Sequence, residues 1–517
     1  MQNRGIGMQS GTIRRYIAVC AIGALALAPL AGLSPASAAV TQTAVLNTTP
    51  TWSHTENDSN QPVWFGSPGV ATLGGRLAVV LGTEQGAIYA YNVDDGSTVP
   101  GWPAKVADPI FSTPASGTVN GSTEVFVGVG TSAAPRKGGY LALTETGKQA
   151  WYSTPDGDMS SMAFGPIQTQ ADVVGASMSQ HQYAINAATG HTLKGFPWFE
   201  ADTNFSSPAL ANLGGDGHDE IIEGGDSTHG LAHNYTYTNG GHIRILSHTG
   251  MSGHQYPTQA LQCQYNTTQV VQSSPAVGGF LKGGKTGIVV GTGDFYKNAS
   301  DNDKVIAVNT ACHKVWSRTL GGSSHPSPAL ADVNGDGTLD VIANSNAGDV
   351  WALNGADGSV IWKTQVPKTT YGGATTFQVP GQNYQDVLIA STHGLYVLDG
   401  RNGDILQQLA GNVAMRNSAT VTADPDGSIG VTIAGIVSGS RTQIEHFVVA
   451  GSSGVTTVQT TGAWPMFHHD PQLTGSTLAI PVPPTVGPLR PRPTGVVPPA
   501  GSRTGPVLPG PIRPVAR

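Results

Sequence analysis

The chain has 517 residues, only 11% of them charged, and its 33 acids against 26 bases give a formal net charge of −7. So acidic a chain argues against nucleic acid as a partner, because phosphate binding needs clustered Lys and Arg. Glycine fills 69 positions, which suits short strands joined by tight turns better than helices.

Residues 1–39 have the three parts of an export signal. Arg14 and Arg15 precede the apolar run 17–30, and small residues surround Ala36-Ser37-Ala38. Pro29 and Pro35 break that run, and it is short for a membrane span, so the expectation is a secreted, extracellular protein with no integral membrane segment. Residues 40–60 read as an N-terminal segment that takes part in closing the fold.

From 61 to 478 one unit recurs. Its clearest copy, 327–366, opens with Ser327-Pro328-Ala329-Leu330, crosses an acidic loop from Asp332 to Asp340, and continues as Val341-Ile342-Ala343. Val350-Trp351-Ala352-Leu353, the turn Ala356-Asp357-Gly358-Ser359 and Val360-Ile361-Trp362-Lys363 complete it. Four β-rich runs separated by Gly/Asp/Asn turns are the pattern of an antiparallel meander. Equivalent openings stand at Ser67, Thr113, Ser161, Ser207, Ser274, Ser327, Gly373 and Ser418. Units spaced by about 45 residues predict an all-β propeller of about eight four-stranded blades, whose radial closure hides sheet edges. A linear β-solenoid shares the period and is the structural alternative.

Residues 479–517 change character: prolines recur every few residues, acids are absent, and Arg490, Arg492, Arg503, Arg513 and Arg517 supply positive charge. Such a segment buries too little apolar surface to fold and reads as an extended, disordered tail. Its charge suits contact with an anionic cell envelope, and a plain linker end is the alternative.

The run Ser327-Pro328-Ala329-Leu330 followed by Asp332, Asn334, Asp336 and Asp340 resembles an FG-GAP (VCBS-type) repeat. Ala352-Leu353-Asn354-Gly355-Ala356-Asp357-Gly358 with Trp362 resembles the repeat of quinoprotein-like (PQQ-like) propellers. Trp464-Pro465-Met466-Phe467-His468-His469-Asp470 resembles a segment found at an end of such propellers. Together these resemblances cover about residues 60 to 475 and imply architecture; the scaffold hosts binding proteins, assembly factors and enzymes alike.

In the loop Asp332 to Asp340, the side chains of Asp332, Asn334, Asp336 and Asp340 with the Thr338 carbonyl match the way a short loop wraps a hard cation, and Gly337 permits the turn. Calcium is the expected structural ion, an Asx/Gly turn without an ion the alternative, and no organic cofactor is expected. The corresponding loop Asn212, Asp216, Glu220 has Gly214 in place of one ligand and should bind more weakly. Six of the fifteen histidines fall between His218 and His254, without a dense transition-metal signature. Trp102, Trp151, Trp316 and Trp362 occupy repeat-equivalent positions and are expected to pack against the neighbouring unit. Cys263 and Cys312, the two cysteines left after the signal, are expected to form a disulfide between adjacent blades.

Elbow, phosphate-loop and dinucleotide motifs are absent from the sequence. The expected function is a non-catalytic extracellular binding, adhesion or scaffold protein for a glycan or a surface protein; a polysaccharide lyase or hydrolase and a quinone-dependent dehydrogenase are the alternatives. Three units lengthen the connection between their second and third strands, at 131–139, 226–241 and 294–303. The last two belong to neighbouring units, so Asp226, His229, His233, Tyr235 and Tyr237 are expected to meet Asp294, Phe295, Tyr296, Asp301 and Asp303 across one ligand groove.

Overall fold

The computed structural model describes residues 45–131, 137–153, 160–200, 202–227, 239–250, 260–367, 369, 371–456 and 463–477. The expected signal and Pro/Arg-rich tail lie outside the described residues. Eight four-stranded antiparallel sheets form the blades of one propeller. Blades 1 to 7 are continuous meanders over 69–105, 115–153, 163–199, 209–267, 276–319, 329–365 and 375–409. Blade 8 combines 420–448 with the strand Trp52–Glu56, which pairs antiparallel with Arg441–Val448 and closes the ring. No helix among the described residues is long and apolar enough to cross a membrane.

The second and third strands of the blades are buried on both faces, which is why they read as apolar runs, whereas the outermost strands alternate with exposed residues. Val80, Ile88 and Ala90 of blade 1, for example, pack on Val125, Val127 and Leu141 of blade 2. At the hub, the opening residues are linked to one another. The backbone N–H of Ser67 donates to Thr113 Oγ1 (2.9 Å), that of Thr113 to Ser161 Oγ (2.8 Å), that of Ser161 to Ser207 Oγ (2.8 Å) and that of Ser207 to Ser274 Oγ (2.9 Å). Ser274 donates to Ser327 Oγ (3.1 Å), Gly373 to Ser418 Oγ (2.9 Å) and Ser418 to Ser67 Oγ (3.0 Å). The remaining link, from Ser327, falls to Gly373, which offers no hydroxyl; a Cβ there would come 2.3 Å from the Ser327 carbonyl oxygen.

At the rim a second repeated contact joins the blades. Indole N–H groups of outer strands donate to carbonyls in the next blade's last turn: Trp52 to Val93, Trp102 to Glu145, Trp151 to Ala187, Trp316 to Gly355 and Trp362 to Gly400. Each ring lies on that turn's glycine; at Gly358, where φ is +69°, a Cβ would come within 2.7 Å of the Trp316 ring. The expected packing role of these tryptophans thus has a specific form, a docking of ring on turn. Blade 4 departs from it. Cys263 pairs with Ile245 as Trp151 pairs with Ala142 and Trp316 with Ala307, so it stands at the docking position. Cys312 stands in the facing turn of blade 5 with φ +56°, and the two are joined by a disulfide.

The segment 464–477 runs along the innermost strands. It accepts backbone hydrogen bonds from Leu330, Thr376, Val70, Ser116, Phe164 and Leu210, the second strand residue in blades 6, 7, 1, 2, 3 and 4. His468 is fully buried in it, stacked on Phe467 at 4.5 Å, with Nδ1 3.3 Å from the Leu473 carbonyl. Burial, only partly offset by that carbonyl and by Asp470, pushes its pKa down from 6.5 to about 4.

Two predictions follow from these contacts. Opening the disulfide by Cys263→Ser with Cys312→Ser should destabilise the protein by about 2–4 kcal/mol. The pair Cys263→Trp with Cys312→Gly, which restores ring-on-turn docking, should recover a large part of that loss in chemical denaturation. The His468 imidazole stays neutral in the folded chain while the unfolded chain binds a proton, so its contribution is complete above pH 6.5 and lost as pH falls toward 4. His468→Asn, which tolerates the left-handed φ of +54°, should flatten the stability-against-pH curve in that window by up to roughly 3 kcal/mol.

Candidate functional site at the mouth of the central channel

The residue two places before each opening Ser, Thr or Gly sits where the chain turns into an innermost strand. In blades 1, 2, 4, 6, 7 and 8 this residue is Phe65, Phe111, Phe205, His325, Tyr371 and Arg416. All six are half-buried, and they converge. Phe65 lies 4.5 Å from Tyr371, 5.7 Å from Phe111 and 6.4 Å from Phe205, ring centre to ring centre. Blades 1 and 4 are not neighbours, so the rings meet across the channel. His325 stacks on Tyr371 at 5.4 Å, and the Arg416 guanidinium lies 3.5 Å over the ring of Trp64, which itself packs edge-on to Phe65.

Connections between second and third strands emerge on this same face, since strand direction alternates through each meander. Their charges reach the mouth. Burial raises the pKa of Glu84, which the Arg416 charge opposes. Burial lowers the pKa of His325, so its ring is neutral at pH 7, while Asp294 opposes that shift. Burial likewise raises Tyr371, with Arg416 lowering and Asp294 raising it. The result is an apolar aromatic floor carrying one cation, with carboxylates at its edge. Large, stiff aromatic surfaces beside an arginine are the composition of binding anchors.

The structure places the sequence-predicted groove residues on this face with different roles. Asp226 is buried; burial, then Asp202, raises its pKa to about 7, and its Oδ1 has no hydrogen-bond partner among the described residues. Tyr296 is close enough for Asp202 and Asp226 to add to the burial that raises its pKa. Asp301 is a loop brace: it accepts hydrogen bonds from the Thr268 amide (2.9 Å) and from Lys304 Nζ (3.2 Å). Asp303 is half-buried near Asp294 and Asp349, and Phe295 is 67% exposed. His229, His233, Tyr235 and Tyr237 lie outside the described residues.

In the acidic loop of blade 6, Asp332 accepts from the amides of Gly335 (2.7 Å), Asp336 (3.2 Å) and Gly337 (2.8 Å). Asn334 accepts from the Asp336 amide, and Asp336 accepts from the Thr338 amide and hydroxyl. Asp340 is buried with Oδ1 unpartnered; desolvation, then the charges of Asp336 and Asp332, raise its pKa to about 7. In the related loop, Asn212 accepts from the Asp216 amide, Asp216 from His218, and Glu220 from Leu213 and Gly214.

The mouth cluster was not among the sequence candidates, although a signal exists. Phe65-Gly66-Ser67-Pro68, Phe111-Ser112-Thr113-Pro114, Phe205-Ser206-Ser207-Pro208 and Tyr371-Gly372-Gly373-Ala374 repeat one pattern, an aromatic two residues upstream of the opening. Taking the repeat to begin at the Ser hid it.

Residues 255–458 match the family model described as outer membrane protein assembly factor BamB, a family of PQQ-like repeats. No curated protein matches the chain in sequence. Among solved structures it is similar to BamB from Moraxella catarrhalis, at 15% identity over 78% of this chain and 100% of that one, with a TM-score of 0.50. Weaker structural likenesses are the Vibrio cholerae biofilm matrix protein Bap1 (11% identity, 82% and 94% covered, TM-score 0.45) and the computationally designed protein Ika8 (12%, 78% and 100%, 0.48). These matches do not single out the FG-GAP resemblance. The family model and the BamB structure agree with the eight sheets: the chain is an eight-bladed β-propeller with PQQ-like repeats.

Proposed function

We propose that this protein is a secreted, calcium-stabilised and non-catalytic propeller that binds a partner protein at the mouth of its central channel. The observation that carries the reading is the convergence of Trp64, Phe65, Phe111, Phe205, Tyr371 and Arg416. Trp, Tyr and Arg are the residues that dominate binding energy in protein interfaces, and here they stand half-exposed on a rigid hub. The export signal read in residues 1–39 supports an extracellular or envelope setting, and the match to an assembly factor supports a scaffold role. Hydrolysis of a polysaccharide has less support, because the close carboxylates Glu200 and Glu223 are both fully enclosed, out of reach of a chain in solvent.

Calcium belongs to the same reading. Asp332, Asn334, Asp336, Asp340 and the Thr338 carbonyl would hold it, and an ion would neutralise the carboxylates that crowd the unpartnered Asp340 oxygen. A bound ion would stiffen the turn that packs against blade 7, where Asn383 donates to the Gly335 carbonyl.

The mouth is tested with Phe65→Ala combined with Tyr371→Ala. Against the cell-envelope proteins of the host, immobilised mature protein should retain a specific protein, and the double variant should bind it at least tenfold more weakly while still folding, as read by circular dichroism and a cooperative melt. Equal retention by both forms overturns the reading; binding to a glycan array that the double variant loses would replace the protein partner with a glycan. For calcium, chelation should lower the melting temperature of the wild type and leave Asp336→Ala nearly unaffected. Superimposable melting curves with calcium and with chelator would remove the ion from the reading.

A further inference from the structure

Between blades 3 and 4, one strand position departs from the apolar or glycine residue it holds in the other seven blades. Glu223 follows the strand residue Ile222 that pairs with Ala209, and the same register position in the other blades holds Leu81, Val127, Gly175, Val290, Ala343, Ile389 and Ile433. Seven apolar residues or glycine are thus matched in blade 4 by a glutamate. Glu223 pairs with Arg244 and Gly225 with His242, so the three side chains Glu223, Arg244 and His242 leave one face of the blade, toward blade 3. Glu200, one residue beyond the outermost strand of blade 3, comes to meet them, and all four are fully buried.

The polar atoms of this cluster do not satisfy one another. His242 Nδ1 is 2.9 Å from Ser227 Oγ, while its Nε2 has no hydrogen-bond partner among the described residues and lies 3.6 Å from Glu223 Oε1. Among the described residues neither carboxylate oxygen of Glu200 has a partner in hydrogen-bonding geometry, with Asn204 and Glu223 as its polar neighbours. Arg244 neutralises one of the two glutamates, from 3.5 Å; its guanidinium also donates to the Glu200 carbonyl and to Gln264, and it lies over Trp198. One buried negative charge and one imidazole lone pair are left facing a common point. Buried polar atoms without partners are rare because each costs its full desolvation.

We propose that Glu200, Glu223 and His242 form a buried site for a divalent transition-metal ion that clamps blade 3 to blade 4. One atom from each residue lies within 4.8 Å of the others, and a tetrahedral ion with bonds of about 2.1 Å needs neighbouring ligands roughly 3.4 Å apart, so small side-chain rotations complete the set. A mixed nitrogen and oxygen donor set suits zinc and its first-row neighbours better than calcium. The hydrogen bond between Ser227 and His242 Nδ1 is the outer contact that orients a ligating imidazole and leaves Nε2 free for a metal. Gly225 makes room for the ring: a Cβ there would come 2.5 Å from His242 Nε2. Glu223 and His242 flank the long connection between the second and third strands of blade 4, so the ion ties down the base of that connection.

The test is metal content. Mature protein produced with zinc in the medium and desalted should hold about one equivalent of zinc per chain by elemental analysis, and cobalt in its place should give visible ligand-field absorption. Glu200→Gln, close to isosteric, should fold and lose the zinc, whereas Asp336→Ala in the acidic loop of blade 6 should keep it. Extraction of the ion should lower the melting temperature of the wild type and leave Glu200→Gln unmoved. Wild-type protein with only trace zinc, or Glu200→Gln that keeps a full equivalent, overturns the proposal; the first result would mean that protons rather than a metal hold the carboxylates together.

Discussion

The backbone amide of every opening residue except Ser327 donates at the hub to the hydroxyl of the next blade's opening residue. A buried N–H left without an acceptor costs about 1–3 kcal/mol, so the requirement acts on every blade at once. It explains why Ser or Thr recurs in units whose other residues drift. It also sets the angle between blades, because a donor fixed in one strand must meet an acceptor fixed in the next. Gly373 breaks the series, and the close approach of the Ser327 carbonyl shows why a side chain was not kept there.

The rim is held by a different contact with the same logic. An indole ring covers a glycine turn and gives its N–H to a carbonyl that the turn exposes, so one side chain supplies both apolar cover and a hydrogen bond. The position survives changes of chemistry. Phe196-Pro197 in blade 3 corresponds in register to Trp102-Pro103 in blade 1. Gln407 in blade 7 instead exchanges two hydrogen bonds with the backbone of Leu46. A disulfide takes the place between blades 4 and 5. Hub and rim together leave the faces free for loops, and the mouth residues stand on the rigid hub rather than on those loops.

The propeller was legible in the sequence because its signal is repeated eight times and each copy corrects the noise in the others. The tryptophans were legible for the same reason, and the cysteines because Cys263 and Cys312 are the two that follow the expected signal. What stayed hidden has a common cause. Phe65, Phe205 and Tyr371 meet only because ring closure brings blades 1, 4 and 7 to one axis, a distance that no spacing along the chain encodes. Glu223 and Arg244 look like ordinary exposed charges within strands until the register turns them toward blade 3. Asp301, expected as a ligand residue, braces its loop by accepting a hydrogen bond from Thr268, a contact that no spacing in the sequence announces. The two resemblances at blade 6 rest on different residues of one blade, 327–340 and 352–362, and the sequence could not choose between them.

The strand Trp52–Glu56 finds its partner nearly four hundred residues later, and the inner edges of six blades find theirs only in 464–477. During synthesis the first strand waits unpaired until residue 448 has emerged. A chain that stopped between 449 and 463 would close its circle yet keep six buried amides facing an open bore. The last residues of the propeller therefore act as a keystone, and completeness of the chain is written into the stability of the product.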